Sequence, residues 1–294
     1  MESSLDSTEM RAEAIALYDR YTHEGMDRRA FMGELTRIAG STAAASALLA
    51  GVASDPAAAA IVPPNDKRLA TRDIEWPVAG GRKLRGYLAA PASGKARGSV
   101  MVIHENRGLN EHIRDVARRL GLGGYHAVAP DFLTSAGGTP ADQDEARRLI
   151  GTLDLGTAVA DAVASLDYGR RETGQKNGVV GFCWGGAMVN RVAVAAGPLL
   201  DAGVVFYGPA PSPAEAARVS APLLIHLAEK DERVNTSALP WIAALRGAGR
   251  NVRAINYQGA QHAFHNDTSV ERYDAKAAAR AWASTLAFFK THLS

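Results

Sequence analysis

The stretch "GFCWGGAM", Gly181 to Met188, holds Cys183, the only cysteine among 294 residues. It falls where a strand-like run, "NGVVGF", meets a helix-like one, "GGAMVNRVAVAA". Glycines at 181 and 185 would let strand and helix backbones approach closely, so that the sulfur stands on a tight, strained turn. This is the nucleophile elbow, G-x-S-x-G, with cysteine in place of serine. A buried structural thiol would fit the same pattern, so the partners decide. An acid and then a histidine should follow, each just past a later strand. Asp231 closes "PLLIHLAEKD" and His262 lies in "YQGAQHAF", in that order. His262 would take the Cys183 proton or pair with its thiolate, and Asp231 would fix the imidazole tautomer. Taken singly, Asp231 reads as a helix cap and His262 as a turn residue; it is their order that argues for chemistry. A thiolate attacking a carbonyl also needs an oxyanion hole, with the N–H of Trp184 as one donor and that of Asn106, in "HENRGLN", as the other. Glu105 on the same loop could approach Cys183. His104 and Arg107 divide between catalysis and, respectively, strand-end packing and a surface ion pair.

The elements that must position these residues begin near Arg72. "RDIEWPVA" and "KLRGYLAAP" read as antiparallel strands joined at Gly80 and Gly81. "GSVMVIHE" is nearly continuous in apolar residues, as in a strand covered on both faces, and a helix is expected from Asn110 to Gly121. "HAVAPDFL", "NGVVGFC", "AGVVFYG", "APLLIHLAEKD" and "VRAINYQG" continue the alternation. A long helix is then expected over Ser269–His292, with Trp282, Leu286 and Phe289 facing the core. The pattern predicts an α/β fold, a doubly wound and mostly parallel sheet whose active groups sit beyond the strand C-termini.

Thirty-three basic against 31 acidic residues leave a net charge of +2, and 47% of residues are hydrophobic. That balance argues against a nucleic-acid or membrane-surface partner and for a small molecule. One cysteine makes no internal disulfide, which is compatible with a cytoplasmic setting. Residues 1–66 read as a helical extension and linker, and 67–294 as the main domain. Helices are expected over Ser7–His23 and Asp27–Leu49, packed on the main domain or on a second subunit, so a homodimer is open; Ser54 to Lys67 reads as a linker. "DRRAFMGELTRIAG" followed by a small-residue run also has the outline of a twin-arginine export signal, the alternative being periplasmic localisation. The run is too short and too weakly apolar to span a bilayer.

Together, "IHENRGLN", "APDFL", "GFCWGG", "AEKDERV" and "GAQHAF" resemble the dienelactone hydrolases (carboxymethylenebutenolidases) from about Arg72 to Leu293. The resemblance implies an α/β-hydrolase fold, a Cys183–His262–Asp231 triad, no metal or organic cofactor, and an ester or lactone substrate. It also implies that Glu105 hydrogen-bonds the resting thiol until substrate displaces it. The family clamps the substrate carboxylate with two arginines; their places here hold Ser135 and Asn266. A carboxylate buried without a cation is costly, so a different ester, lactone or thioester is expected. Arg107, Phe132, Tyr207 and Phe264, with Trp184, are the expected substrate contacts. The same triad would serve a thioesterase or acyltransferase, and a redox sensor or binding module on the same fold is the non-enzymatic alternative.

Overall fold

The computed structural model describes residues 7–53 and 60–294. Eight strands form one sheet: β1 (Leu69–Pro77), β2 (Lys83–Pro91), β3 (Ser99–Ile103), β4 (His126–Asp131), β5 (Asn177–Phe182), β6 (Ala202–Phe206), β7 (Leu223–Ala228) and β8 (Val252–Tyr257). Their spatial order is β1-β2-β4-β3-β5-β6-β7-β8. β2 runs antiparallel to both β1 and β4, while every pair from β4 through β8 is parallel. β3, β5, β6 and β7 are buried along their whole length, which explains their unbroken apolar sequences.

Nine α-helices complete the described chain. α1 (Ser7–His23), α2 (Arg28–Ala39) and α3 (Thr42–Val52) precede the sheet; α4 (Glu111–Leu122), α5 (Gln143–Gly151), α6 (Leu155–Thr173), α7 (Trp184–Ala195), α8 (Glu232–Gly247) and α9 (Ala275–Leu293) follow its strands. On one face α4 and α9 cover the sheet through Ile113, Val116, Ala281 and Phe289. On the other, α6, α7 and α8 do so through Leu166, Val189 and Trp241. The sheet is therefore doubly wound as expected, and its C-terminal edge is left for loops.

The N-terminal helices have a core of their own, built from Leu17, Tyr18, Tyr21, Phe31, Leu35 and Ile38, all buried. Tyr21 stacks on Phe31 with centroids 4.4 Å apart. α1 matches the expected bounds, but the single helix expected over Asp27–Leu49 is broken in two. Gly40 takes the left-handed conformation at φ 76° and ends α2, and the Ser41 hydroxyl caps α3 by accepting from the Ala44 N–H. The final helix also starts later than Ser269, at Ala275, where Asp274 caps the N–H groups of Lys276 and Ala277. Residues 54–59 of the expected linker lie outside the described residues. No single helix among the described residues is long and apolar enough to cross a membrane.

The three helices pack on the chain's own sheet domain, across the C-terminal edge of the strands. Arg28, the first of the paired arginines, meets Asp144 at 2.5 Å. The Arg147 guanidinium donates to Tyr21 O at 2.9 Å, and the carbonyl of Val52 accepts from Ser269 Oγ at 2.7 Å and Arg272 Nε at 3.0 Å.

Candidate active site

β5 ends in a turn that only small neighbours permit. A Cβ on Gly181 would lie 2.2 Å from Gly185 O, and one on Gly185 would lie 2.3 Å from Ile103 O. Cys183 between them adopts φ 54° and ψ −112°, a left-handed conformation unusual for a residue with a Cβ, and it is 4% exposed. Besides glycines, the described residues with positive φ are Cys183, Tyr207 and Ala263. All three lie just past strand ends around one point, the concentration of strain expected where geometry is held for chemistry. Cys183 also precedes the first residue of α7, so its sulfur shares the electropositive field of a helix N-terminus.

Asp231 and His262 meet there. His262 Nδ1 lies 2.5 Å from Asp231 Oδ2, and Asp231 Oδ1 caps α8 by accepting from Val234 N–H at 3.2 Å. The cap and the acid, alternatives in the sequence, are the two oxygens of one carboxylate. Burial would push His262 down, but the Asp231 carboxylate and the Cys183 sulfur outweigh it and hold the ring well above its ordinary value. For Asp231, burial pulls upward and is overcome by His262, so the acid is held low. His262 is 2% exposed, and its Nε2 is buried without a hydrogen-bond partner. A ring nitrogen of His262, one of His23 and the sulfur of Cys183 lie within 4.8 Å of one another. Two imidazoles and a thiolate are a donor set suited to zinc or another borderline-soft divalent ion; they are equally the parts of a cysteine–histidine nucleophile.

Trp184 and Asn106, the candidate oxyanion donors, border the same cleft as Cys183. Trp184 opens α7, so its N–H has no intrahelical acceptor. Asn106 lies on the loop past β3, in the same small space as Cys183 and His262. Its side chain is occupied, Nδ2 donating to Thr22 O at 3.1 Å. Glu105 departs from what the family resemblance implies. Its Oε1 accepts from Tyr207 Oη at 3.3 Å and its Oε2 from Asn266 Nδ2 at 2.7 Å, and no hydrogen bond joins it to Cys183 among the described residues. The physical reason is Asn266: at a place where the resemblance puts an arginine in the family, this chain has a neutral donor that turns inward and holds the carboxylate.

The sulfur's partner is instead His23, the last residue of α1, with Nε2 at 3.1 Å from Cys183 Sγ. Nothing in the sequence near Cys183 signals this, since 160 residues separate the two. Tyr18 and Thr22 of α1 line the same space of about 20 Å³, with Glu105, Asn106, Arg107, His262, Ala263 and Arg272. Arg107 is buried and turned toward α1, Nη2 donating to Tyr18 Oη at 3.3 Å. His104 is a structural residue. It is fully buried, held by Glu105 O at 2.7 Å and stacked on Trp184, and burial pushes its imidazole down.

On the other side of His23 a cleft of about 390 Å³ reaches Cys183 and Trp184. Its walls are Ile150, Leu153, Leu155 and Met188, with Arg147, Arg191 and Arg233 and no carboxylate. These cations were not singled out in the sequence; they lie on α5, α7 and α8 and converge only in the fold. Arg233 Nη2 is buried without a hydrogen-bond partner. Three of the expected substrate contacts lie outside the lining of this cleft. Phe264 is fully buried in the core against Phe206, Tyr207 and Tyr257. Tyr207 is fully buried behind Glu105, where burial and then that carboxylate hold its hydroxyl well above the usual range. Phe132 packs edge-on to Trp184 and lines a neighbouring cleft with Ser135 and Leu153. Apolar residues beside motifs went to the core because the strand ends there are fully covered.

An elbow at β5 and an Asp–His pair past β7 and β8, on this strand order, define the α/β-hydrolase class. The dienelactone hydrolase family profile matches residues 84–293, and the chain belongs to that family. It is 37% identical over 226 residues to protein usf of Aquifex pyrophilus, covering 73% of this chain and 96% of that one. It is 33% identical to an Aquifex aeolicus protein named, provisionally, a carboxymethylenebutenolidase, covering 72% and 95%. A Klebsiella pneumoniae crystal structure, provisionally named a dienelactone hydrolase, superposes with a TM-score of 0.68 at 27% identity, covering 76% of this chain and all of that one. The chain is thus a hydrolase of the kind that acts on esters or lactones. The family match begins after the three N-terminal helices.

Proposed function

We propose that the chain hydrolyses carboxylic esters or lactones through a Cys183–His262–Asp231 triad and an acyl-enzyme. The observation that carries this reading is the Asp231–His262 contact of 2.5 Å beside a sulfur held on a strained elbow. The Cys183 thiol gives its proton to His262, and the thiolate adds to the ester carbonyl carbon. The oxyanion so formed is met by the N–H groups of Trp184 and Asn106. His262 returns the proton to the leaving alkoxide as the C–O bond breaks, leaving a thioester on Cys183. Water, deprotonated by His262, then attacks that thioester, and the acid departs as the thiol is restored. Asp231 holds the Nδ1–H tautomer and stabilises the imidazolium in both halves.

The cleft beside Trp184 supports a substrate with an apolar body and an anionic substituent. Ile150, Leu153, Leu155 and Met188 would take the first, and Arg233, with its unpartnered buried nitrogen, the second. Arg233 would thus supply the cation that positions 135 and 266 lack. Two measurements test the reading. Cys183→Ala should abolish turnover of a panel of esters and lactones, and mass spectrometry of quenched wild type should find the acyl group on Cys183. An active Cys183→Ala enzyme would sink the triad. A half-ester of a dicarboxylic acid should be preferred over its neutral methyl diester, and Arg233→Met should erase that preference; equal rates in wild type would overturn the charge assignment alone.

A further inference from the structure

Three donor atoms converge at the elbow from three separate elements: the sulfur of Cys183 before α7, Nε2 of His23 at the end of α1, and a ring nitrogen of His262 past β8. They lie within 4.8 Å of one another, and His23 Nε2 is 3.1 Å from the sulfur. A tetrahedral zinc ion, with Zn–N of about 2.0–2.1 Å and Zn–S of about 2.3 Å, sets such donors about 3.3–3.6 Å apart. The donors from α1 and Cys183 already stand near that spacing, and bringing in the third takes side-chain rotation on the order of 1 Å. Each imidazole is also held from behind as ligating histidines are. His23 Nδ1 is 2.9 Å from Asp19 O and 2.9 Å from Thr22 Oγ1, and His262 Nδ1 is 2.5 Å from Asp231 Oδ2. A carbonyl or carboxylate on Nδ1 orients the ring and leaves Nε2 to coordinate. His262 Nε2 is the second, independent sign. Its ring is 2% exposed, it lines the space shared with His23 and Cys183, and it has no hydrogen-bond partner among the described residues. A polar atom buried that way is costly unless something meets it.

We infer that His23, Cys183 and His262 bind a zinc ion, and that zinc reversibly silences the hydrolase. Two imidazoles and one thiolate suit zinc over magnesium or calcium, which prefer oxygen. The fourth corner faces the cleft beside Trp184, which His23 and Cys183 both border, and takes water. The ion binds the sulfur lone pair that would attack a carbonyl and the His262 nitrogen that would move the proton, so one ion blocks both partners. The one proton that the sulfur and His262 hold between them leaves to solvent as the ion enters, and no electron moves. Three carboxylates, Asp19, Glu105 and Asp231, stand around the site against Arg107, Arg233 and Arg272, so the surroundings carry no excess of positive charge that would repel a dication. The third donor comes from outside residues 84–293, the span of the family profile. Without His23 the elbow offers two ligands, too few to hold zinc firmly. The inhibition rests on the proposed role of Cys183; the coordination does not.

The test uses the reduced full-length chain, stripped with EDTA and then freed of it, as wild type, His23→Leu, His23→Gln and Cys183→Ser. Zinc affinity is read by competition with a chromogenic chelator, and the coordination sphere by putting cobalt(II) in place of zinc. Wild type should take up one zinc ion per chain. Its cobalt form should show the intense visible bands of four-coordination and a sulfur-to-cobalt charge-transfer band in the near ultraviolet, and Cys183→Ser should lose the latter. His23→Leu should weaken zinc binding by more than about a hundredfold, beyond the usual cost of losing an outer-shell partner. His23→Gln, which keeps a polar side chain at the seam, should weaken it as well and serves alone should the leucine variant fail to fold. Zinc at one equivalent should stop ester turnover by wild type and EDTA restore it, whereas His23→Leu should need about a hundredfold more zinc to lose its own rate. The inference is overturned if wild type holds no zinc at micromolar concentrations, if a folded His23 variant binds zinc as tightly as wild type, or if the cobalt form lacks the sulfur band. An active Cys183→Ala enzyme would remove the proposed function and leave the cobalt spectrum to decide the ion, while a chain that binds no zinc would leave the acyl-enzyme experiment untouched.

Discussion

The molecule contains two cores that were built by different rules. The sheet domain buries continuous apolar strands between two helical layers, and its candidate site residues sit where any doubly wound sheet would put them. The N-terminal helices bury aromatic side chains among themselves and meet the sheet domain mainly through polar contacts: Arg28–Asp144, Arg147–Tyr21 O, Asn106–Thr22 O and Arg272–Val52 O. A core defines the first, and a hydrogen-bonded seam attaches the second. The seam also carries His23 to the sulfur, so the less deeply anchored region supplies one of the closest contacts in the site.

Breaking the first region should have the larger effect on chemistry. Asp231→Asn keeps the α8 cap but donates to His262 where the carboxylate accepted. Turnover should fall by about a hundred- to ten-thousandfold, measured as kcat on a fast ester, with little change in melting temperature. In the same domain, Gly185→Ala drives a Cβ to 2.3 Å from Ile103 O, and should cost about 3 kcal/mol or more by denaturant unfolding, because backbone rather than a flexible side chain must move. Phe31→Ala opens the smaller core and should cost about 3 kcal/mol locally. Hydrogen exchange should quicken through α1–α3 while β3, β5 and β6 stay protected; equal loss in both regions would show that the two cores unfold as one.

The smallest effect is on pH dependence. Burial keeps His23 neutral in the folded chain, whereas the unfolded chain protonates it below about pH 6.5. Its contribution is complete above that value and falls as pH drops, by at most about 1.4 kcal/mol per pH unit. His262 is shifted the other way, so its contribution is complete at low pH and fades as pH rises through its raised value. Exchange protection of α1 should therefore weaken from pH 7 to 5 in wild type and weaken less in His23→Gln.

The same division governs what could be read from the sequence. β5, β6 and β7 announce themselves as unbroken apolar runs because both faces are covered, and the order of Cys183, Asp231 and His262 along them is what pointed to a candidate triad. Asp231 was legible twice, as cap and as acid; one of its oxygens caps α8 and the other meets His262. In contrast, the contact between His23 and Cys183 joins residues 160 apart with no periodicity between them. The arginines at 147, 191 and 233 sit on three helices and look, one at a time, like ordinary surface charge. Phe264 and Tyr207 are buried away from the cleft, since proximity to a motif does not say which side of a strand end faces it. The break between α2 and α3 was written in Gly40 and Ser41, a left-handed stop followed by a cap, inside a run whose composition alone suggested continuity.

The separation of His23 from Cys183 has a consequence in time. A contact spanning 160 residues, closing over a sheet whose last strand ends at Tyr257, is of the slow, non-local kind that forms late. Whenever α1 is undocked the sulfur faces water and whatever oxidant water carries. Sulfenic acid formed then would be walled in when α1 settles. Conditions during folding, as much as those of assay, therefore decide how many molecules carry a usable thiol.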